Sequence, residues 1–254
     1  MVFPMIRKTF LLLSILALCS PVVRAEELTI AVASNFTEAM DALVSDFESS
    51  SEHKVNVSYG SSGRLYAQII NGAPFDLFFS ADQTKPVSLE QAGHTVTGSR
   101  FTYATGALVL WSVNPDFDLD EGKSLKNQQI NPLAIANPRL APYGAAAMQV
   151  LQALNLGDAY REKLVMGENI NQAFQFVNTG NAQAGFVALS QVSENGIIQE
   201  GKGWIIPGEL YDPIRQDAVL LKRGSGNPAA LAFLEFVESD QAKAMIKSYG
   251  YSTD

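Results

Sequence analysis

The chain has 254 residues, of which 47% are hydrophobic and 17% charged, and its formal net charge is −8. This length and hydrophobic content suffice for one large domain or two compact ones, and neither an internal repeat nor a low-complexity tract is present in the sequence. The excess of acidic residues argues against nucleic acids and anionic membranes as partners, because both repel a negative surface.

Residues 1–25 have the features of a secretory signal peptide. Arg7 and Lys8 form a basic start, and the apolar run from Phe10 to Leu18 follows them. Small side chains at the third-last and last positions, Val23 and Ala25, predict cleavage after Ala25. The apolar run is too short to cross the hydrocarbon core of a bilayer as a helix, so an uncleaved membrane anchor is the weaker alternative.

Removal of this leader changes both the cysteine content and the charge. Cys19 is the only cysteine, and it would leave with the leader, so the mature chain has no thiol or disulfide. The remaining 229 residues carry 15 basic and 26 acidic side chains, a net charge of about −11. A buried anion site remains compatible with this charge, because salt screens distant surface charges within about 8–10 Å.

The first third of the mature chain alternates between strand and helix patterns. Hydrophobic periodicity predicts, in order, a strand at 28–33, a helix at 36–50, a strand at 55–59, a helix at 63–71, a strand at 77–80 and a helix at 82–92. This alternation is typical of an open α/β sheet with parallel strands.

The remainder continues with a similar mixture of elements. It contains predicted strands at 108–113, 132–136, 184–187, 204–206 and 218–221, and predicted helices at 145–154, 160–164, 170–179 and 228–249. Residues 101–106 and 210–216 are candidate crossings between two lobes. A chain that leaves one lobe and later returns to it would form a cleft, where ligands of α/β sheets commonly bind.

Four short turns rich in small residues open directly into predicted helices, at 34–36, 60–63, 142–145 and 167–171. A helix N-terminus offers unpaired backbone N–H groups and roughly half a positive charge. Several such ends that point to one place would bind an anion without lysine or arginine. The turns carry hydroxyls and amides but few charges, which favours a small, fully ionised oxyanion as the ligand.

Five segments resemble the periplasmic molybdate-binding proteins of ABC importers, and together they span nearly all of the mature chain. They read AVASNFTEAM, YGSSGRLYAQIINGAPFDLFFSADQ, NPRLAPYGAAAMQVLQAL, GENINQAFQFVNTGNAQAGFVALSQV and SYGYS. The resemblance implies an α/β, two-lobed periplasmic binding protein fold of type II. Each lobe would be a mixed, mostly parallel sheet flanked by helices. Residues 26–105 and 212–254 would form lobe 1, and residues 106–211 would form lobe 2.

The resemblance also implies the ligand set. Ser34 and Ser62 match positions that offer hydroxyl and backbone donors to the anion, while Tyr143 and Ile170 match backbone N–H donors. Asn35 joins them because members of the family with this pattern have an Asn after the first Ser or Thr. Of the two adjacent serines at 61 and 62, the second is the predicted ligand.

One position departs from the pattern of some family members. They supply a tyrosine hydroxyl from the strand after the last of these helices, whereas this chain has Ala188 there. Other members lack that tyrosine and instead combine the Asn at position 35 with the Tyr at position 143. We expect the donor missing at Ala188 to be replaced elsewhere.

The implied protein is a periplasmic, monomeric binding protein and not an enzyme. It would take up molybdate and tungstate without a cofactor or a free metal cation, and deliver the oxyanion to the membrane permease of an ABC importer. Nucleic acid is not an expected partner. Molybdate and tungstate carry no proton at neutral pH and need donors only, whereas hydrogen phosphate would profit from a carboxylate acceptor.

Two alternatives stay open at this point. The first is a binding protein for another oxyanion, such as sulfate or phosphate, or for a small carboxylate. The second is a secreted hydrolase with Ser34 or Ser62 as nucleophile, which would need His53 or His94 as its base. No Gly-x-Ser-x-Gly motif supports the hydrolase.

Overall fold

The computed structural model describes residues 26–253. The predicted leader, with its cleavage site after Ala25, lies outside these residues. Two five-stranded sheets, each flanked by helices, account for most of the described chain.

Twelve strands make up the sheets and one small hairpin. They are β1 (Glu27–Ala33), β2 (Lys54–Gly60), β3 (Leu77–Phe79), β4 (Phe101–Gly106), β5 (Leu108–Ser112), β6 (Leu133–Ala136), β7 (Leu164–Gly167), β8 (Ala184–Ala188), β9 (Ser193–Glu194), β10 (Ile197–Ile198), β11 (Lys202–Ile205) and β12 (Ile214–Leu220).

In the part of the chain that the structure describes, nine α-helices connect or cover the strands. They are α1 (Thr37–Ser50), α2 (Ser62–Ile70), α3 (Thr84–Gln91), α4 (Lys123–Lys126), α5 (Pro142–Ala153), α6 (Gly157–Tyr160), α7 (Ile170–Asn178), α8 (Pro228–Glu238) and α9 (Asp240–Ser248). A short 3₁₀ segment, Ser34–Phe36, leads directly into α1. Within residues 26–253, no helix has the length and apolar character of a membrane span.

The two sheets have the same kind of mixed topology. The first has the order β2-β1-β3-β12-β4 and the second the order β11-β5-β8-β6-β7. In each sheet the pairings divide evenly between parallel and antiparallel. The predicted fold of two helix-flanked, mixed and mostly parallel sheets is confirmed, because in each sheet four of the five strands run in the same direction and only β12 or β5 runs against them.

We call residues 26–106 and 214–253, which contribute the first sheet, unit 1, and residues 107–213 unit 2. The chain passes between them at Ala107 and again in the segment 206–213. These crossings lie close to the predicted lobe limits at 105/106 and 211/212, which themselves stay a prediction. Because both crossings are short, the open ends of the two sheets face each other.

The central strand β1 shows why the first sheet is buried on both faces. Leu28, Ile30 and Val32 alternate along the strand and pack against α1 and α8, while Ala31 points to the opposite core with Leu65 of α2. A strand covered on both faces is mostly apolar along its length, and the segment LTIAVA is apolar at every position except Thr29.

Three sequence-based element predictions were wrong in detail. Leu164–Gly167 is the edge strand β7 and not the end of a helix, because it pairs with β6 over four residues, too few for strand periodicity to be visible. Residues 101–106 form strand β4 and not only a crossing. The predicted helix at 228–249 is broken at Ser239, whose extended backbone and side-chain cap on Ala242 start a new helix.

Gly144 lies at the point where α5 packs closely on the end of β6. A Cβ at this position would overlap the backbone carbonyl of Ala136, which cannot easily move. We expect Gly144→Ala to lower the free energy of unfolding by about 1–3 kcal/mol, as overpacking does, in urea titrations of the ligand-free protein.

Gly157→Ala is the matched control. It also replaces a helical glycine outside the positive-φ region, but no atom lies within 4 Å of the added Cβ. Its free energy of unfolding should stay the same or rise by up to about 1 kcal/mol. Equal effects of the two substitutions would contradict the packing argument.

Candidate functional site

A small cavity lies between the two units, where four helix beginnings meet. The residues that line it are Ala33, Ser34, Asn35, Gly60, Ser61, Ser62, Ala81, Ala141, Pro142, Tyr143 and Ile170. All five residues predicted from the sequence as ligands are therefore brought together, and all five are buried.

Strand register explains this convergence. In unit 1, Ala33 at the end of β1 is level with Gly60 at the end of β2. In unit 2, Ala136 at the end of β6 is level with Gly167 at the end of β7. Parallel strands that end level with each other start their following turns side by side, so each unit presents two helix N-termini at one edge.

The turn after β2 positions Ser62. Its Oγ accepts a hydrogen bond of 2.9 Å from the backbone N–H of Ala81, the second residue after the end of β3. This bond uses a lone pair of the hydroxyl and holds the side chain in place. The hydroxyl hydrogen is left available for an acceptor in the cavity.

Unit 2 contributes backbone N–H groups. Ile170 is the first residue of α7 and Tyr143 the second residue of α5, so neither N–H has a partner within its helix. Asn169 caps α7 by accepting a bond of 3.0 Å from Gln172 N, which orients the first turn of the helix. Both helices point their positive ends toward the cavity.

The side chain of Asn35 is bonded to other residues of the protein. Its two amide N–H groups are already used, with Oε1 of Gln216 at 2.8 Å and the Tyr251 hydroxyl at 3.1 Å. Because the side chain is engaged behind the cavity wall, the donor that Asn35 can offer to a ligand is its backbone N–H in the 3₁₀ turn.

This amide belongs to a buried polar network that the sequence analysis missed. Tyr251 donates to the carbonyl of Asn35 at 2.6 Å, Ser190 donates to the same carbonyl at 3.1 Å, and Gln216 donates to the Tyr143 hydroxyl at 3.4 Å. The one sequence signal for it was the closing SYGYS segment, which contains Tyr251. Nothing in the sequence connects Gln216 to a position 181 residues earlier.

The cavity is electrically neutral apart from its oriented dipoles. Tyr143 is the only titratable side chain in its lining. Burial raises the pKa of Tyr143 well above its ordinary value, and burial likewise raises the pKa of Tyr251. Both hydroxyls therefore stay protonated at neutral pH, and the site offers N–H and O–H donors without a carboxylate acceptor.

Direct contacts between the units close the cavity. Gly63 N donates to Leu140 O at 2.9 Å, and Asn171 Nδ2 donates to Thr37 Oγ1 at 3.2 Å. Arg64 and Glu168 form an ion pair between the units at 2.9 Å. Both partners of this pair are well exposed, so it is worth little energetically.

The remaining sequence candidates lie elsewhere. Neither His53 nor His94 lines the cavity, and His53 is buried beside Phe47, where it accepts from Glu26 N. Ala188 ends β8, and its backbone N–H is bonded to the side chain of Gln191. No group of His, Cys, Asp or Glu in residues 26–253 is arranged to hold a metal ion.

Comparison with known proteins agrees with this architecture. Residues 28–252 match the model of the bacterial extracellular solute-binding protein family. The molybdate-binding protein ModA of Azotobacter vinelandii is 54% identical over 228 residues, which cover 90% of each chain. ModA of Rhodobacter capsulatus is 46% identical over 230 residues, 91% of this chain and 90% of the relative.

A solved structure gives the same result. The periplasmic molybdate-binding protein of Azotobacter vinelandii superimposes with a TM-score of 0.86 at 40% identity, over 89% of this chain and 99% of that one. Fold, helix arrangement and sequence therefore agree over almost the whole described chain. The chain belongs to the family of bacterial extracellular solute-binding proteins, within its ModA-like group.

Proposed function

We propose that this protein is the molybdate receptor of an ABC importer, that it also takes tungstate, and that it holds the oxyanion in the cavity between its two units. The observation that carries the proposal is the meeting of four helix N-termini at a buried site lined by neutral donors. The relatives at 54% and 46% identity, both named for molybdate binding, support the same ligand.

The ligand contacts would come from five residues. Ser34 and Ser62 would donate through hydroxyl and backbone groups, and Asn35, Tyr143 and Ile170 through backbone N–H groups. Hydrogen bonds to a charged group contribute about 1.5–3 kcal/mol each. Five to seven of them, less the cost of closure and desolvation, give a Kd between micromolar and nanomolar.

Capture would proceed by closure of the two units over the anion. The crossings at Ala107 and 206–213 are the natural hinges, because they are the places where the chain passes between the units. The contacts Gly63–Leu140 and Thr37–Asn171 would form only in the closed state. A membrane permease would then recognise the relative position of the two units.

The predicted leader and the relatives support a periplasmic protein that delivers its cargo to that permease. We further propose that it acts as a monomer. Solute binding without catalysis is the activity that this site supports. A hydrolase would need a histidine beside Ser34 or Ser62, and neither histidine of the chain lines the cavity.

The anion itself is tested by calorimetric titration of the mature protein with molybdate, tungstate, sulfate and phosphate in turn. We expect 1:1 binding with the first two and none with the others. Phosphate should fail because no carboxylate lines the cavity to accept its proton. Tight binding of sulfate or phosphate instead would keep the fold but contradict the proposed cargo.

Ser62→Ala should weaken molybdate binding by about 1–3 kcal/mol, because a donor to a charged ligand is lost. It should also lower the Tm of the ligand-free protein, because the N–H of Ala81 loses its acceptor. Ser49→Ala is the control, since its hydroxyl bonds only to an exposed helix carbonyl. An unchanged Kd for Ser62→Ala would remove Ser62 from the site.

Ile170→Pro isolates a single backbone donor. Proline at the first position of a helix is well tolerated, and Asn169 before it already has the extended backbone (φ −144°, ψ 178°) that proline requires. The substitution therefore removes the N–H while α7 stays intact. Molybdate affinity should fall by about 1.5–3 kcal/mol, the contribution of a charge-assisted bond.

Ile170→Ala is the matched control for this experiment. It keeps the N–H but loses buried packing, so its main effect should be on stability and not on the Kd. If both variants weaken binding equally, the side chain and not the N–H of Ile170 contributes to the site.

A further inference from the structure

We propose that Ser61, beside the predicted ligand Ser62, donates its own side-chain hydroxyl to the bound oxyanion. This inference rests on the proposed function, and it adds a donor that the sequence analysis did not select. Its basis is an unusual state of the Ser61 side chain in the closed structure.

The Ser61 hydroxyl is buried without a partner. The residue is 2% exposed, and its Oγ is one of only two buried side-chain polar atoms within residues 26–253 that make no hydrogen bond. Folded proteins pair nearly all such groups. An unpaired hydroxyl at a binding cavity is therefore explained most simply by a partner that arrives with the ligand.

The lack of a hydrogen bond at the Ser61 hydroxyl is unexpected for its position at the start of α2. Ser61 is the N-cap residue of α2, where a serine normally accepts from an N–H of the first turn. Its backbone has the usual cap conformation (φ −68°, ψ 144°), yet the side chain makes no capping bond. The backbone thus permits the cap, but the hydroxyl does not form it.

The cavity lining supplies the reason. Ser61 lies in the cavity wall between Gly60 and Ser62, with Ser34 and Asn35 across the same space. The groups that surround this space offer N–H and O–H hydrogens, so a guest that carries only acceptors would satisfy them together. A tetrahedral oxyanion has enough oxygen atoms to accept from Ser61 in addition to its neighbours.

Thr253 provides an internal comparison. Its Oγ1 is the other unpaired buried atom, but Thr253 does not line the cavity. The two hydroxyls share the same hydrogen-bonding deficit and differ in their access to the proposed ligand. Removal of each should therefore affect folding alike and binding differently.

The test compares Ser61→Ala with the wild type by calorimetric titration with molybdate, tungstate, sulfate and phosphate, and by ligand-free thermal unfolding. We expect the Kd for the bound anion to rise about 10- to 100-fold, as for the loss of a bond to a charged ligand. The ligand-free Tm should stay the same or rise, because the alanine removes an unpaired buried hydroxyl.

Thr253→Val is the control and should show the same Tm behaviour with an unchanged Kd. A Kd within about twofold of wild type for Ser61→Ala overturns the inference and leaves the proposed function intact. A clear fall in its ligand-free Tm with unchanged Kd assigns the hydroxyl to the fold and also overturns it. A wild type that binds none of the four anions overturns this inference and the proposed function together.

Discussion

The level ending of paired parallel strands is the constraint on which the rest of this structure depends. Because β1 and β2 end together, and β6 and β7 do the same, each unit places two helix beginnings at one edge. The short crossings between the units then bring these edges face to face. The unpaired N–H groups of the four helices meet in one buried space, where their dipoles act at contact range and without screening by solvent.

A site made of dipoles differs from one made of lysine and arginine in what it demands of the surrounding protein. Backbone donors cannot move independently of their helices, so the helices themselves must be held in place. The network of Asn35, Gln216, Tyr251 and Ser190 performs this task behind the cavity wall, and it joins unit 1 to unit 2. Burial keeps its tyrosine protonated, so the network remains neutral. The wall of the site is thereby linked to the relative position of the units.

The same arrangement reconciles an acidic protein with an anionic cargo. Residues 26–254 carry a net charge of about −11, yet no carboxylate lines the cavity. Surface charges are screened over about 8 Å at physiological salt, whereas buried donors act directly on the ligand. A site made only of donors also disfavours oxyanions that carry a proton, such as hydrogen phosphate, because that proton would have no acceptor in the cavity. Discrimination among fully ionised oxyanions then falls to the size of the cavity.

The sequence by itself predicted an α/β fold, most element positions and the turns at the site, because strand and helix periodicity and helix-opening residues are local signals. The division into two mixed sheets was predicted only from the resemblance to the periplasmic molybdate-binding proteins. Sequence-based prediction failed for β7 and for the break at Ser239, where a four-residue edge strand and one capping serine leave little pattern to read. Only the tertiary structure decided that the side-chain amide of Asn35 bonds to Gln216 and Tyr251, and that the Ser61 hydroxyl lacks a partner. Each of these two facts depends on contacts between residues that are far apart in the sequence, and local sequence patterns carry no information about such contacts.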